Sequence, residues 1–239
     1  MKQKRLNLRM KNAMIPQEFE NAKFDTYKVN NPTQRKMLNA IKQYLSEFEE
    51  NKETSFGFIA IFGEKRLREI KNPQQRAEMK RQHNNFGLGK THLQIAAAKH
   101  LIKYGYTVLC ISDVTFMEEL GQARAVNDEG EEFNQLLWSV SNADILVWDD
   151  IGKAKTTDFR QGMYYRIIDE RYKARKPIIY SSNEDQETLS EKIGDAAASR
   201  LFGMSKRETE DGHEKSFVFA VEGPDYRLTG GKVNVPNMQ

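Results

Sequence analysis

Apolar residues along the chain form two alternating patterns. Short continuous apolar runs predict buried strands, whereas apolar positions three or four residues apart between those runs predict helices that each present one face to a core. Strands that alternate with helices are typical of an α/β fold, in which a mostly parallel sheet is covered on both faces. The five predicted strands lie at about 56–62, 107–112, 145–148, 177–182 and 216–221.

The same pattern divides the chain into two parts. Residues 1–51 should form an irregular N-terminal arm and then a helix, which begins at Pro32 with Asn31 as its N-cap. Apolar side chains of the arm, such as Phe19 and Tyr27, would lie across the core. Residues 52–239 should form the core itself, with helices predicted at about 114–124, 131–140 and 158–174 and a shorter helical region that ends near Met204.

The candidate chemistry begins in one interrupted stretch. The letters N-F-G-L-G-K-T at 85–91 match the end of the phosphate-binding pattern G-x-x-x-x-G-K-[ST], but Asn84 stands where the first glycine belongs. Gly63, which follows the first predicted strand, fits instead if residues 64–84 are an insertion. We therefore predict a P-loop with about twenty extra residues in its first turn. Its residues are Gly63, Asn85, Phe86, Gly87, Leu88, Gly89, Lys90 and Thr91, followed by His92.

These residue types suit the binding of a nucleoside triphosphate. Glycines let backbone N–H groups curl around phosphate oxygens, and the N-terminus of the following helix adds its dipole. Lys90 would neutralise phosphate charge, and the hydroxyl of Thr91 would hold Mg²⁺. A glycine-rich turn before an ordinary helix is the alternative for this segment taken alone.

An apolar strand that ends in two acids forms the second candidate motif. Asp149 and Asp150 follow the apolar run at 145–148, so they should emerge at the carboxyl edge of the sheet, where α/β proteins bind ligands. In this Walker B arrangement Asp149 would hold Mg²⁺ and Asp150 would polarise the attacking water. An acidic turn after a buried strand is the alternative, and the P-loop upstream favours the functional interpretation.

Three further polar residues follow predicted elements. Asn183 comes after the fourth predicted strand, where its amide would orient the attacking water or contact the γ-phosphate. Arg200 would emerge from an apolar helix and reach the γ-phosphate of a neighbouring subunit. Arg227, near the C-terminus, would fold back on the bound nucleotide. Taken singly, an ordinary turn or a surface salt bridge explains each of them at least as well.

Basic charge is concentrated in two segments. The net charge is +3, yet residues 64–84 carry seven Lys and Arg against three Glu, and the remaining positions carry thirty basic and thirty-one acidic residues. Residues 1–11 add five basic residues and no acid. Both segments are candidates for contact with nucleic-acid phosphates. A solvated loop and a frayed terminus explain them equally well.

Composition excludes several other classes of protein. No apolar run approaches the length of a membrane span, and the N-terminus lacks the apolar segment of a secretory signal. Cys110, the one cysteine, lies within a predicted strand, as expected for a buried thiol in a reducing compartment such as the cytoplasm. With four scattered histidines and one cysteine, we do not expect a zinc site.

In this order the motifs resemble those of the AAA+ ATPases, and more narrowly those of the DnaC/DnaI-type replicative helicase loaders and their relative IstB. The resemblance implies a P-loop NTPase fold of the AAA+ type, a three-layer sandwich that binds ATP or ADP with Mg²⁺. It covers roughly residues 15–228 and is most specific at G-K-T-H-L (89–93), N-A-D-I-L-V-W-D-D-I-G (142–152), S-N (182–183), S-R-L (199–201) and D-Y-R (225–227).

The resemblance also implies roles and partners. Asn183 would be sensor 1, Arg200 the arginine finger and Arg227 sensor 2. Members of this family form ATP-controlled oligomers, with the ATP site at the subunit interface, which bind single-stranded DNA and open or deliver a ring helicase. We therefore expect an ATPase that loads a ring-shaped replicative helicase onto single-stranded DNA and, by analogy, one that belongs to a phage or other mobile element.

Two departures from the family pattern leave alternatives open. Only about fifty residues precede the first predicted strand, so we do not expect the N-terminal domain with which the loaders grip the helicase. The short stretch after the last strand predicts an abbreviated or absent helical lid. The insertion at 64–84 is either looped out or spoils the P-loop. The alternatives are an IstB-like ATPase that regulates a transposase and, if the insertion blocks ATP, a non-hydrolysing AAA+ adaptor.

Overall fold

The computed structural model describes residues 9–10, 13–50, 52–126, 129–209 and 211–223. Arg227, predicted as sensor 2, lies outside these residues, as does the segment in which a helical lid would follow the last strand. Within the described ranges, none of the helices is both long enough and apolar enough to cross a membrane.

Five strands form one sheet in which every neighbouring pair is parallel. They are β1 (Phe56–Ala60), β2 (Val108–Ser112), β3 (Ile145–Asp149), β4 (Ile178–Ser181) and β7 (Val218–Val221), and a separate antiparallel hairpin joins β5 (Lys206–Glu208) to β6 (Glu214–Ser216). The order across the sheet is β2-β3-β4-β1-β7, so the carboxyl ends of β1, β3 and β4 lie side by side. This arrangement confirms the predicted α/β fold with a mostly parallel five-stranded sheet.

Helices connect the strands and cover both faces of the sheet. Most lie within a few residues of their predicted positions, because the apolar spacing that marks them is also what packs them on the sheet. The described helices are α1 (Pro32–Ser46), α2 (Glu64–Glu69), α3 (Pro73–Gln82), α4 (Lys90–Tyr104), α5 (Asp113–Ala125), α6 (Glu131–Asn142), α7 (Asp158–Lys173), α8 (Gln186–Ile193) and α9 (Asp195–Met204).

Side chains alternate between the two faces of the sheet and build one core on each side. In β1, Phe58 packs with α1 and α4 on one face, whereas Ile59 packs with α5 to α9 on the other. In β3, Val147 and Trp148 divide in the same way. Because both faces are buried, the strands are continuous apolar runs, and the protein has the predicted three layers.

Two strand boundaries and one hairpin differ from the predictions. The first strand ends at Ala60 rather than near 62, because Ile61 is 48% exposed where the chain turns toward α2. The last predicted strand begins only at Val218, and Ser216 belongs to the β5–β6 hairpin. That hairpin carries the polar sequences K-R-E and E-K-S, so no apolar pattern marked it.

The N-terminal arm lies on the core, as its apolar residues predicted. The backbone oxygen of Ala13 accepts a hydrogen bond from the amide of Cys110 at 2.9 Å, so the arm pairs with the edge strand β2. The ammonium group of Lys99 in α4 holds the next turn of the arm, because it donates to the backbone oxygens of Phe19, Glu20 and Ala22 at 2.6 to 3.2 Å. The arm therefore crosses α4 toward the carboxyl edge of the sheet.

Candidate nucleotide-binding site

The loop that precedes α4 has the backbone of a phosphate-binding turn. Gly87 and Gly89 have φ values of 66° and 85°, in the left-handed region that favours glycine, and Gly89 is the N-cap of α4. A Cβ atom on Gly89 would also lie 2.6 Å from the ring of Tyr27 in the arm. The hydroxyl of Tyr27 donates to the backbone oxygen of Leu88 at 2.7 Å. The arm therefore supports the loop whose amides open toward the end of the sheet.

The chain leaves and re-enters this loop at neighbouring points. The side-chain amide nitrogen of Asn85 donates to the backbone oxygens of Phe62 at 3.3 Å and Asn183 at 3.1 Å. Because the two ends of residues 64–84 lie this close together, α2 and α3 form a helical hairpin that is looped out of the P-loop. Gly63 does not line the loop's cavity, because its amide donates instead to the carboxylate of Asp185 at 2.8 Å.

Three predicted residues form one hydrogen-bonded chain. Lys90 is buried, and its ammonium group donates to the side-chain oxygen of Asn183 at 2.6 Å and to the backbone oxygen of Asn85 at 2.8 Å. The amide nitrogen of Asn183 donates in turn to Asp150 at 3.0 Å. The side-chain amide of Asn183, two residues beyond β4, therefore connects the P-loop lysine to Asp150, the residue after β3.

Thr91 and Asp149 form a second contact, on the β3 side. The hydroxyl of Thr91 donates to Asp149, with distances of 3.0 and 2.9 Å to its two carboxylate oxygens. Ser181 at the end of β4 also donates to Asp149, at 2.7 Å. Burial, reinforced by the charge of Asp150, raises the pKa of the Asp149 carboxyl above its ordinary value. A cation at this point would relieve both the burial and the repulsion between the carboxylates.

These donors fit Mg²⁺ that also binds phosphate. Magnesium in such sites takes one or two protein oxygens and completes its octahedral shell with water and substrate phosphates. Thr91 and Asp149 offer a hydroxyl and a carboxylate side by side. Across the described ranges, no group of three or more His, Cys, Asp or Glu side chains could hold a metal ion alone. Thr91 and Asp149 therefore suit a magnesium ion that also binds the phosphates of a nucleotide.

Asp150 is held in a strained position. Its φ of 55° is unusual for a residue other than glycine, and such strain persists only where surrounding contacts fix it. Those contacts are the amide of Asn183 and the ammonium group of Lys153, which lies 2.6 Å from the carboxylate. Lys153 thus pairs with the second acid of the Walker B segment.

Most of the predicted site residues line one cavity of about 550 Å³. Asn85 to His92 form one wall, and Asp149, Asp150 and Asn183 form another. Sequence reasoning missed four lining residues, Ser112, Lys153, Glu18 and Phe19. Ser112 pairs with Asp149 in the register of β2 and β3, so alignment of the strand ends would have found it. Glu18 and Phe19 come from the arm, and no local pattern marks them.

Arg200 lies elsewhere on the surface and does not line this cavity. Its Nε atom is 2.9 Å from Asp169 of α7, and its guanidinium group lies over the ring of Tyr165, 4.9 Å from the centroid. Within its own subunit this side chain makes surface contacts. In this structure Arg200 therefore has partners on α7 and does not reach the nucleotide cavity.

The fold and the cavity define a P-loop NTPase of the AAA+ type. More narrowly, the family model of IstB-like ATP binding proteins matches residues 82–226, so the chain belongs to that family.

The comparisons also confirm the resemblance to DnaC/DnaI-type loaders. The replicative helicase loader DnaC of Buchnera aphidicola subsp. Acyrthosiphon pisum is 28% identical to this chain over 188 residues. The loader DnaC of Escherichia coli K12 is 27% identical to this chain over 182 residues. These alignments cover 78% and 76% of the chain but only 65% and 63% of the relatives, so the chain spans just under two thirds of their length.

Two solved structures share the fold. A crystal structure of the DnaC helicase loader superposes with a TM-score of 0.60 at 22% identity and covers 79% of this chain and 96% of that one. A crystal structure of DnaI has a TM-score of 0.60 at 18% identity, with 89% and 94% covered. At these identities the likeness establishes the architecture, and the chemistry must be argued from the residues of this chain.

Proposed function

We propose that this protein is an ATP-dependent DNA replication protein that loads a ring-shaped replicative helicase onto single-stranded DNA in the cytoplasm. The observation that carries the proposal is the hydrogen-bonded chain from Lys90 through Asn183 to Asp150, beside the Thr91–Asp149 pair. A site built only to hold a nucleotide does not require the second acid and its amide partner. The names of the curated relatives supply the link to helicase loading.

Each residue has a proposed role in the reaction. The backbone of Asn85 to Gly89, with His92 just beyond it, would surround ATP or ADP, whereas Gly63, which lies outside the cavity, would only fix the start of the split loop through Asp185. Lys90 would bind the β- and γ-phosphates, and Thr91 and Asp149 would hold Mg²⁺, which neutralises charge on the transferred phosphate. Asp150 would polarise the attacking water. Arg200 of a neighbouring subunit would stabilise the transition state, and Arg227 would contact the bound nucleotide.

Asn183 links phosphate binding to the attacking water. Its side-chain oxygen accepts from Lys90 and its nitrogen donates to Asp150. A phosphate group drawn to Lys90 competes with that oxygen, which then becomes free to orient water while Lys153 keeps Asp150 in place. We propose that this exchange is how the site senses the γ-phosphate.

The domain organisation follows from these roles. We propose that residues 52–239 are the ATPase core, that 64–84 is a surface insertion within its P-loop, and that 1–51 are an arm and helix that support the loop. ATP-bound subunits would assemble with each site at an interface, because no arginine of the same subunit lines the cavity within the described residues.

An IstB-like ATPase that regulates a transposase is the second candidate, and the family match favours it. The non-hydrolysing adaptor has less support, since the insertion leaves the cavity and the residues 85–92 together.

Partner binding and helicase loading separate these candidates. With ATP, the chain should co-elute with the replicative helicase of its host in size-exclusion chromatography and should stimulate unwinding of a single-stranded DNA circle with an annealed strand. The Lys90→Ala variant is the matched control and should do neither. Co-elution with an IS21-type transposase instead, without stimulated unwinding, would replace the loader by the transposition regulator.

A further inference from the structure

The hairpin of α2 and α3, residues 64–82, is a basic surface that the nucleotide site leaves unexplained. Its seven basic residues fall into two groups. Lys65, Arg66 and Arg68, in α2, pair with carboxylates of Glu191, Glu187 and Glu64. The other four have no ion pair among the described residues; they are Lys71, Arg76, Lys80 and Arg81.

The base of the hairpin is fixed to the nucleotide site. The amide of Lys65 donates to Glu184 at 3.0 Å, and the Nε atom of Arg66 lies 3.2 Å from Asp185. Both acids are buried and follow Asn183 directly. At the other end, Asn84 exchanges hydrogen bonds of 2.6 Å with the backbone of Gly223. The hairpin is therefore held at both ends and does not trail as a flexible loop.

The tip of the hairpin is a helix that buries no face. Every residue of α3 with a described side chain is exposed except Met79, which is half-buried. Capping interactions stabilise this helix, because the side chain of Asn72 accepts hydrogen bonds from the backbone amides of Gln74 and Gln75 and Pro73 occupies the first turn. Because core packing does not explain α3, its exposed cations are available for a ligand.

The chemistry of α3 selects a nucleic-acid backbone over a protein partner. Protein interfaces depend on buried aromatic or large apolar anchors, and α3 offers only Ala77 and Met79. Phosphate backbones need cations and amide donors. Arg76 and Lys80 are one turn apart on one face, and Arg81 adjoins them. With three basic residues against one acid, Glu78, α3 carries a net positive charge.

We propose that the α2–α3 hairpin is a binding site for the phosphate backbone of single-stranded DNA, with Arg76, Lys80 and Arg81 as its contacts. The proposal rests on the proposed function, which supplies the single strand, and names where this chain grips it. The site stands at the carboxyl edge of the sheet, anchored to the segment after Asn183.

Fluorescence anisotropy with a labelled 25-nucleotide oligothymidylate, ATP and Mg²⁺ tests the proposal. The triple variant Arg76→Ala, Lys80→Ala, Arg81→Ala should lower affinity about 10- to 100-fold at 0.1 M salt. It should also make the slope of log K against log salt shallower by about two, because each single-strand phosphate contact contributes about 0.7. The melting temperature should not change, since these side chains make no ion pair among the described residues.

A charge-matched control removes three exposed cations elsewhere: Arg35→Ala, Lys36→Ala, Lys103→Ala. It should retain most of the affinity and slope. If the hairpin variant binds like the wild type, or if the control loses as much, the inference is overturned while the loader assignment stands. If the hairpin variant loses affinity for duplex DNA only, the hairpin is a duplex-binding site and the single-strand assignment is overturned. A wild-type chain that binds no single-stranded DNA even at low salt would overturn both proposals.

Discussion

Asp113 shows how a single buried residue supports the site from behind. It begins α5 directly after Ser112 and is fully buried. Its carboxylate accepts hydrogen bonds from the indole of Trp148 at 2.9 Å, the hydroxyl of Tyr164 at 2.7 Å and the amide of Ala154 at 2.8 Å. These bonds tie β3, α7 and the segment after Asp150 to one point. Burial has the larger effect and raises the pKa of Asp113 to about 6, although the hydrogen bonds lower it.

This raised pKa predicts a pH-dependent stability. An acid whose pKa is higher in the folded state contributes stability below its unfolded pKa of about 4 and loses it as pH rises to about 6. An Asp113→Asn variant cannot ionise. Its free energy of unfolding should therefore improve relative to the wild type by up to about 3 kcal/mol between pH 4 and pH 7.

Urea unfolding of both proteins at pH 4, 5, 6 and 7 measures this difference. Other titrating groups are common to the two proteins and cancel in the comparison. A difference that stays constant across this range would show that Asp113 has the same pKa in the folded and unfolded states and that burial does not raise it.

At the scale of residues, the side chains that follow a short sequence pattern are the ones that the structure brings to one cavity. Lys90 and Thr91 belong to a local pattern, and Asp149 ends an apolar strand, and all three line the cavity. Asp113 and Tyr27 were not identified as supports, because their contacts join positions 35 to 61 residues apart. Tertiary packing sets such contacts, and no local signal encodes them.

Among the elements, the N-terminal arm depends most on one side chain. Lys99 donates to three backbone oxygens of the arm, and burial lowers its pKa below the ordinary lysine value. The arm in turn supplies Glu18 and Phe19 to the cavity and Tyr27 to the loop. The arm should therefore be released as a unit when this ammonium group is removed.

A Lys99→Met substitution should release the arm and keep the core folded. Met retains the apolar stem but offers no donor, so three backbone oxygens lose a charged partner, each such bond being worth about 1.5 to 3 kcal/mol. Hydrogen exchange should accelerate at the amide of Cys110, which the arm protects through Ala13. Lys103→Met, an exposed change on the same helix, is the control. Unchanged exchange at Cys110 would show that other contacts hold the arm.

Element types were largely predictable, and the exceptions have a physical cause. The strands and large helices carry apolar patterns because they pack on each other, and these were found. The β5–β6 hairpin is polar and carries no such pattern. The helices α2 and α3 could be expected only as two short pieces around Pro73, since their caps and charges, rather than a core, determine them.

At the scale of the whole molecule, the role of Arg200 decides whether one subunit can hydrolyse ATP alone or needs a neighbouring subunit. An Arg200→Ala subunit should bind ATP normally but lose hydrolysis by about 10³-fold or more, the magnitude found for arginine fingers. Mixed with Lys90→Ala subunits, which keep Arg200, it should regain part of the activity, because an interface in which the Arg200→Ala subunit supplies the P-loop and the Lys90→Ala subunit supplies the arginine is intact.

Phosphate release by the two variants, alone and mixed, measures this complementation. Arg166→Ala, which removes a charge from the neighbouring surface of α7, is the control and should hydrolyse ATP normally. If mixing restores nothing while the variants still assemble, Arg200 does not act across the interface.

The whole-molecule architecture was predictable because strand and helix alternation leaves few topologies. The position of the hairpin was not, since sequence could not tell a looped-out insertion from one that fills the P-loop. The contact between Asn85 and the backbone of Phe62 resolves this in favour of a looped-out hairpin.

The most direct test of the account is calorimetric binding of ATP and ADP with Mg²⁺ to the full chain, the Lys90→Ala variant and a chain lacking residues 64–84. We expect the full chain to bind both nucleotides and Lys90→Ala to bind about 10- to 100-fold more weakly, as loss of a charged hydrogen bond predicts. The deletion should still bind, because the ends it joins already touch. Nucleotide binding that appears only after the deletion would contradict a working split P-loop. Equal affinity of the full chain and the Lys90→Ala variant would contradict it as well.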